Sequence, residues 1–369
     1  MSRTLTQVPP GVQCFVGDEA RRRRAIEDVV VGVFEGWDYE EIIPPLFDYA
    51  DVFAGEALAH KTYSFVGRDG SLLALRPDFT SLLAKIAAGR LHDRPAPIRL
   101  YYSGEVLRYE PPKAGRQSEL YQMGLEHLGG EARAADVEVL AVAAECLDRL
   151  GASGWVIALG HVGVFGGLVA AAGTDPEQTE MLRSRVEAKD VSGVRDILAG
   201  ARTPPAVAEA LVRLSSFAGD APILRVAELA FAAFPDALRS VRELQGVVAA
   251  LDASGLLAHV AIDLGEVRGL DYYTGFVFRV YARGLGFEVG GGGRYDTLLA
   301  RFGRPMPAVG FMLGLDRVAL LLQKQDRSGA TTLPKAKPVH GADLGVALRD
   351  ARALRADGRR VRFGNGDAA

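Results

Sequence analysis

Four short segments of this sequence set polar side chains among apolar neighbours, where each must be hydrogen-bonded or serve a ligand. The first is Leu75-Arg76-Pro77-Asp78-Phe79-Thr80. A carboxylate and a hydroxyl two residues apart at a strand end suit an ammonium group, which needs several acceptors around it. The competing reading is that Asp78 or Thr80 caps a helix beginning at Ser81. The second segment runs over residues 104–110 and, after a polar loop, continues as Tyr121-Gln122-Met123-Gly124-Leu125-Glu126. Alternate residues of adjacent antiparallel strands share a face, so Arg108 can point the same way as Gln122 and Glu126 and fork onto a carboxylate or phosphate. An exposed cross-strand charge pattern of Arg108 and Glu110 fits equally well. The third segment, residues 266–275, sets Arg268, Asp271, Tyr272 and Tyr273 beside Gly269 and Gly275. A tyrosine has a flat apolar body and a polar tip, which suits an aromatic, hydrogen-bonding ring such as imidazole. In the fourth, glycines 290–293 precede Arg294-Tyr295-Asp296, and their missing side chains would let a small ligand lie against the backbone; flexible loop glycines are the alternative.

These residues need elements to hold them. From Asp18 the residues Ile26, Val29, Val30, Val33 and Phe34 recur at helical steps, and Gly36 stops the run. An extended segment through Ile42 and Ile43 ends at Pro44 and Pro45, which lack the amide protons of a ladder. Stretches 64–66 and 72–75 face each other across Arg68-Asp69-Gly70, a hairpin signal. A second hairpin joins 98–109 to 120–126 through a polar loop over 111–118. A long helix spans 134–150, closed by Gly151, and a short strand follows at 155–159. Residues 174–257 read as an inserted helical module, strands return over 261–295, and 310–323 reads as a closing helix. Strands, then helices, then strands again predict an α+β fold, an antiparallel sheet flanked by helices, rather than a doubly wound sheet. The expected organisation is a core of 1–173 with 258–327, an insertion at 174–257, and over 328–369 a linker and a stub centred on 342–363.

Bulk properties narrow the function classes. The 369 residues are 49% apolar and carry a formal charge of -3, so a large core is available but no overall positive charge with which to hold a polyanion. The run Arg21–Arg24 reads as the solvated face of a helix. From Lys324 onward ten Lys/Arg stand against five Asp/Glu, which could touch an acidic partner surface. Cys14 and Cys146 have no partners at metal-ligand spacing and read as small core residues, so no metal or cofactor site is expected. Without a long apolar run or a leader, the expected location is the cytoplasm, with no membrane attachment.

Taken together and in order, the four segments resemble the core of the class II aminoacyl-tRNA synthetases, in its histidine branch. Arg268-Gly269-Leu270-Asp271-Tyr272-Tyr273 is close to diagnostic of that branch. Leu107-Arg108-Tyr109-Glu110, with Gly115-Arg116 and residues 122–126, is similar to its motif 2, residues 310–317 to its motif 3, and residues 37–53 to motif 1, the dimer-forming region. The resemblance implies a histidine pocket in which Asp78, Thr80 and Gln122 hold the amino group and Glu126 and Tyr273 meet the imidazole. Arg268 would lie near the carboxylate and Tyr272 would shape the wall, with Arg108 and Arg317 at vestigial phosphate positions. Departures matter as much. The synthetases normally have Glu-Gly-Thr where this chain has Asp78-Phe79-Thr80, and Leu120 stands where a phenylalanine usually packs on adenine. The anticodon-binding domain is reduced to the stub, which leaves tRNA selection no visible basis. This combination resembles the regulatory subunits of ATP phosphoribosyltransferase, synthetase paralogues of histidine biosynthesis. It implies a non-catalytic chain with no catalytic residues of its own, partnered by a short-form catalytic subunit and with histidine as effector. The alternative is a histidyl-tRNA synthetase lacking its anticodon-binding domain.

Overall fold

The computed structural model describes residues 6–54, 61–109, 117–201, 203–267, 272–327 and 333–364. Two compact units emerge, one from Met1–Cys14 with Arg23–Ser328 and the other from Phe15–Arg22 with Gly329–Ala369. Among the described residues no helix is long and apolar enough to cross a membrane.

The large unit is built on a nine-stranded sheet. In chain order its strands are β1 (Glu40–Glu41), β5 (Ile98–Leu107), β6 (Glu119–Leu128), β7 (Trp155–His161), β8 (Ala218–Gly219), β9 (Val260–Asp263), β10 (Phe276–Ala282), β11 (Gly290–Arg294) and β12 (Ala308–Gly314). They lie in the order β1-β5-β6-β12-β11-β10-β7-β9-β8. From β5 to β7 every neighbouring pair is antiparallel, as the hairpin signals require. The sheet as a whole is mixed, because β1 joins β5 and β9 joins β7 in parallel. A parallel pair needs a long crossover. Between β7 and β9 that crossover is the helical stretch itself, with helices at Val162–Ala172, Pro176–Glu187, Val191–Gly200, Pro205–Leu214, Ile223–Ala230 and Pro235–Ala253.

Strand alternation divides the sheet into two faces. Tyr101, Met123, Leu125, Phe278, Phe311 and Leu313 turn to one side and pack with the helix Ala132–Arg149 and the Asp18–Gly36 residues Val30, Val33 and Phe34. Leu100, Tyr102, Val106 and Leu128 turn to the other, where Phe79, Leu83 and Ala84 cover them around the helix Thr80–Ala88. A separate three-stranded sheet, β2 (Phe47–Tyr49), β3 (Ser64–Val66) and β4 (Leu72–Leu75), is ordered β2-β4-β3 and contains the Asp-Gly hairpin. In the small unit β13 (Lys337–Val339) and β14 (Val361–Phe363) pair in parallel, joined by the helix Leu344–Ala356.

Three sequence expectations are corrected. Residues 310–314 are strand rather than helix, and the closing helix is Leu315–Lys324. In that stretch Val309, Phe311 and Leu313 alternate with Gly310, Met312 and Gly314, the period of a strand. Cys14 is exposed, and only Cys146 is buried. Within the run Arg21–Arg24, Arg23 is drawn down by an ion pair with Asp316, its side chain only 15% exposed, whereas Arg24 is exposed.

Candidate functional site

The floor of the site is the sheet face turned away from the Ala132–Arg149 helix. Along β6, Gln122, Gly124 and Glu126 alternate onto this face, and His127 turns to the other. Their partners are Gly104, Tyr102 and Leu100 on β5 and Gly314, Met312 and Gly310 on β12. The glycines here are required by close approach. A Cβ on Gly310 would overlap the Glu126 carboxylate, and one on Gly293 would lie 3.0 Å from the Tyr273 ring. Of the glycines 290–293, Gly291 and Gly293 share this face, while Gly290 and Gly292 press against Leu313 and Phe311 on the opposite one. The run is buried strand, not flexible loop.

The walls bring most of the sequence-predicted residues together. Thr80, at the first turn of its helix, donates from Oγ1 to Oε1 of Glu126 at 2.7 Å. The Tyr295 hydroxyl donates to the other oxygen of the same carboxylate. Burial pushes the Glu126 carboxyl up to about 8 against the pull of these two hydroxyls, with the neighbouring Asp78 adding to the rise. Asp78 is buried beside it, and its carboxyl is likewise raised by burial, with Arg108 opposing. Its Oδ1 accepts from the Ser81 amide at 3.3 Å, but the helix begins at Thr80 and its N-cap position is Phe79, so neither Asp78 nor Thr80 is the cap. Its Oδ2 is buried and has no hydrogen-bond partner among the described residues. An acceptor left so costs about 1–3 kcal/mol, which a cationic donor from a ligand would offset.

Aromatic rings close the site. Tyr272 packs edge-on against Tyr273 and Tyr295, with ring centroids 5.0 and 5.6 Å away. Burial holds all three phenols in their neutral, donating form by raising their pKa, that of Tyr273 to about 12. Gln122 is buried on the floor. The two remaining arginines are engaged from within the chain. Arg108 Nε donates to the Pro77 carbonyl at 2.7 Å, which sets its charge beside Asp78. Arg317 Nη1 donates to the Glu288 carbonyl and carboxylate at 2.8 and 2.7 Å, above the Phe287 ring. Leu120 is packed into the apolar cluster of Phe79, Val106 and Tyr102. Arg268, Glu110, Gly115 and Arg116 lie outside the described residues.

Tyr295 is a site residue to which the sequence alone assigns no role, although its period-two spacing from Gly291 and Gly293 places it on the same face. Arg294, one residue earlier, points the other way. It bonds Asp136 and the Ala132 carbonyl, tying β11 to the helix Ala132–Arg149.

Comparison with known proteins bears on this geometry. A family model described as histidyl-tRNA synthetase matches residues 11–318. An ATP phosphoribosyltransferase regulatory subunit of Moorella thermoacetica is 39% identical over 360 residues, 96% of this chain and 91% of the relative. One from Desulforamulus reducens is 38% identical over 324 residues, 88% of this chain and 80% of the relative. A solved structure described as an ATP phosphoribosyltransferase regulatory subunit/histidyl-tRNA synthetase from Bacillus halodurans superposes with a TM-score of 0.85 at 27% identity, covering 100% of this chain and 96% of that one. The fold, the glycine-lined floor around Glu126, and these relatives agree: the chain belongs to the ATP phosphoribosyltransferase regulatory subunit family, on a histidyl-tRNA synthetase-like class II fold.

Proposed function

We propose that this chain is the histidine-sensing subunit that activates a short-form ATP phosphoribosyltransferase catalytic subunit and carries feedback inhibition to it, without aminoacylating tRNA. The relatives' shared name supports the regulatory role in histidine biosynthesis. One observation carries the sensing role: the acceptors Asp78, Thr80, Gln122 and Glu126 converge beneath Tyr272, Tyr273 and Tyr295, while the flanking Arg317 is already bonded to Glu288. Amine acceptors and ring partners are present, and an incoming phosphate would have to displace an internal carboxylate. Arg268 would meet the ligand carboxylate in this reading, and the cytoplasm is where such a subunit acts.

Self-association through the 37–53 region belongs to the same proposal. Phe47, Tyr49 and Phe65 share one face of the three-stranded sheet with Leu73 and Leu75 and are 49%, 56% and 40% exposed. An apolar patch of this kind marks an interaction surface.

The test is phosphoribosyl-ATP formation by a short catalytic subunit, with and without this chain, across a histidine titration. Activation on adding the chain, followed by loss of activity with histidine, is expected. The family model favours a second reading, a histidyl-tRNA synthetase. Histidine-dependent exchange of pyrophosphate into ATP by the purified chain would establish that reading instead.

A further inference from the structure

Tyr102 has no assigned role, yet its position is unusual. It pairs with Gly124 across β5 and β6, and a Cβ on Gly124 would lie 2.5 Å from the Tyr102 hydroxyl. The phenol therefore lies flat across Gly124, with its oxygen over the floor between Gln122 and Glu126. None of the hydrogen bonds among the described residues uses that hydroxyl, although the side chain is only 2% exposed. Behind it the Phe79 ring stacks at 4.1 Å and 14°, and the Arg76 guanidinium lies 4.3 Å from the centre of Phe79. Arg76 is itself fixed, donating to the Pro44 carbonyl at 2.9 Å and the Glu105 carbonyl at 2.6 Å. The phenyl ring that stands beside Asp78 thus presses Tyr102 onto the floor.

We infer that Tyr102 is a ligand-contacting, specificity-setting residue of this site, its hydroxyl presented to the bound amino acid between Gln122 and Glu126, and that Phe79 and Arg76 are the positioning residues that hold it there. The inference rests on the histidine-binding reading. Burial, with the nearby Glu126 and Asp78, raises the phenol well above its ordinary pKa, so it stays a neutral donor.

Calorimetric titration of the full chain with histidine, and with the analogue whose imidazole is replaced by thiophene, provides the test. Tyr102→Phe keeps the ring and its stack, and is expected to lower histidine affinity on the order of 10-fold and to narrow the preference over the thiophene analogue. Phe79→Leu, which keeps the site apolar but removes the stack, should narrow the same preference by a smaller factor, a change that a purely structural role would not produce. Unchanged affinity and preference in Tyr102→Phe, with wild-type protein binding histidine, would overturn the inference alone. Wild-type protein that takes up no histidine removes the reading beneath it as well.

Discussion

At the scale of single residues, the site is dominated by the cost of keeping acids out of water. Glu126 has an ordinary carboxyl pKa of 4.5 in the unfolded chain and one of about 8 when buried beneath Thr80 and Tyr295. The folded protein therefore holds a proton that the unfolded chain releases, and this contribution to stability is complete below about pH 4.5 and lost as pH rises through about 8. Thermal melts of the ligand-free protein between pH 5 and 9 should show Glu126→Gln losing less stability with rising pH than the wild type; parallel slopes would refute the assignment. Arg294 and Asp136 form a buried ion pair, with side chains 8% and 11% exposed, in which burial raises the Asp136 carboxyl to about 6 against the pull of Arg294. Replacing Arg294 by Met leaves Asp136 buried without its partner, and denaturant unfolding should report a loss of about 3–5 kcal/mol. A loss below 1 kcal/mol would mean that water reaches Asp136.

Elements determine which of these residues meet, and here the sequence is legible in proportion to how local the signal is. The Asp18–Gly36 helix and both hairpins follow from spacing within a few turns or strands, and the pairing of Gly104 with Gln122 follows once the hairpin is formed. Pairings between distant segments leave no such trace. The parallel addition of β9 to β7 depends on the whole helical crossover, and the bond from Tyr295 to Glu126 joins residues 169 positions apart. Glycine obscures the record too, because it contributes no apolar residue to a periodic pattern. Residues 310–314 read as part of a helix for that reason, although Gly310 is the strand position where Glu126 needs room. Gly310→Ala should therefore displace the carboxylate, costing about 1–3 kcal/mol of stability as an overpacked site and weakening histidine binding together with it. If the substituted protein melts and binds as the wild type does, β6 and β12 lie farther apart than their register implies.

For the whole molecule, the proposed function requires that a ligand bound beneath the three tyrosines govern a reaction carried out by another chain. Binding alone does nothing. A ligand held equally by two arrangements of an assembly shifts neither, so inhibition requires that histidine grip the inhibited arrangement more tightly. Linkage then imposes a reciprocal effect, since whatever stabilises the active arrangement must weaken histidine by the same factor. A coupling of about 1–3 kcal/mol corresponds to a roughly 5- to 150-fold change. The expected outcome is that the dissociation constant for histidine, measured by calorimetry on the assembled complex, rises by a factor in that range when the substrates of the catalytic subunit are present at saturating concentration. Tyr273→Ala, which removes a wall of the site without touching the catalytic subunit, should relieve inhibition while activation by the chain persists. Equal histidine affinity with and without those substrates would mean that the site is a store for the amino acid rather than a switch, and inhibition would then have to act directly on the catalytic chain.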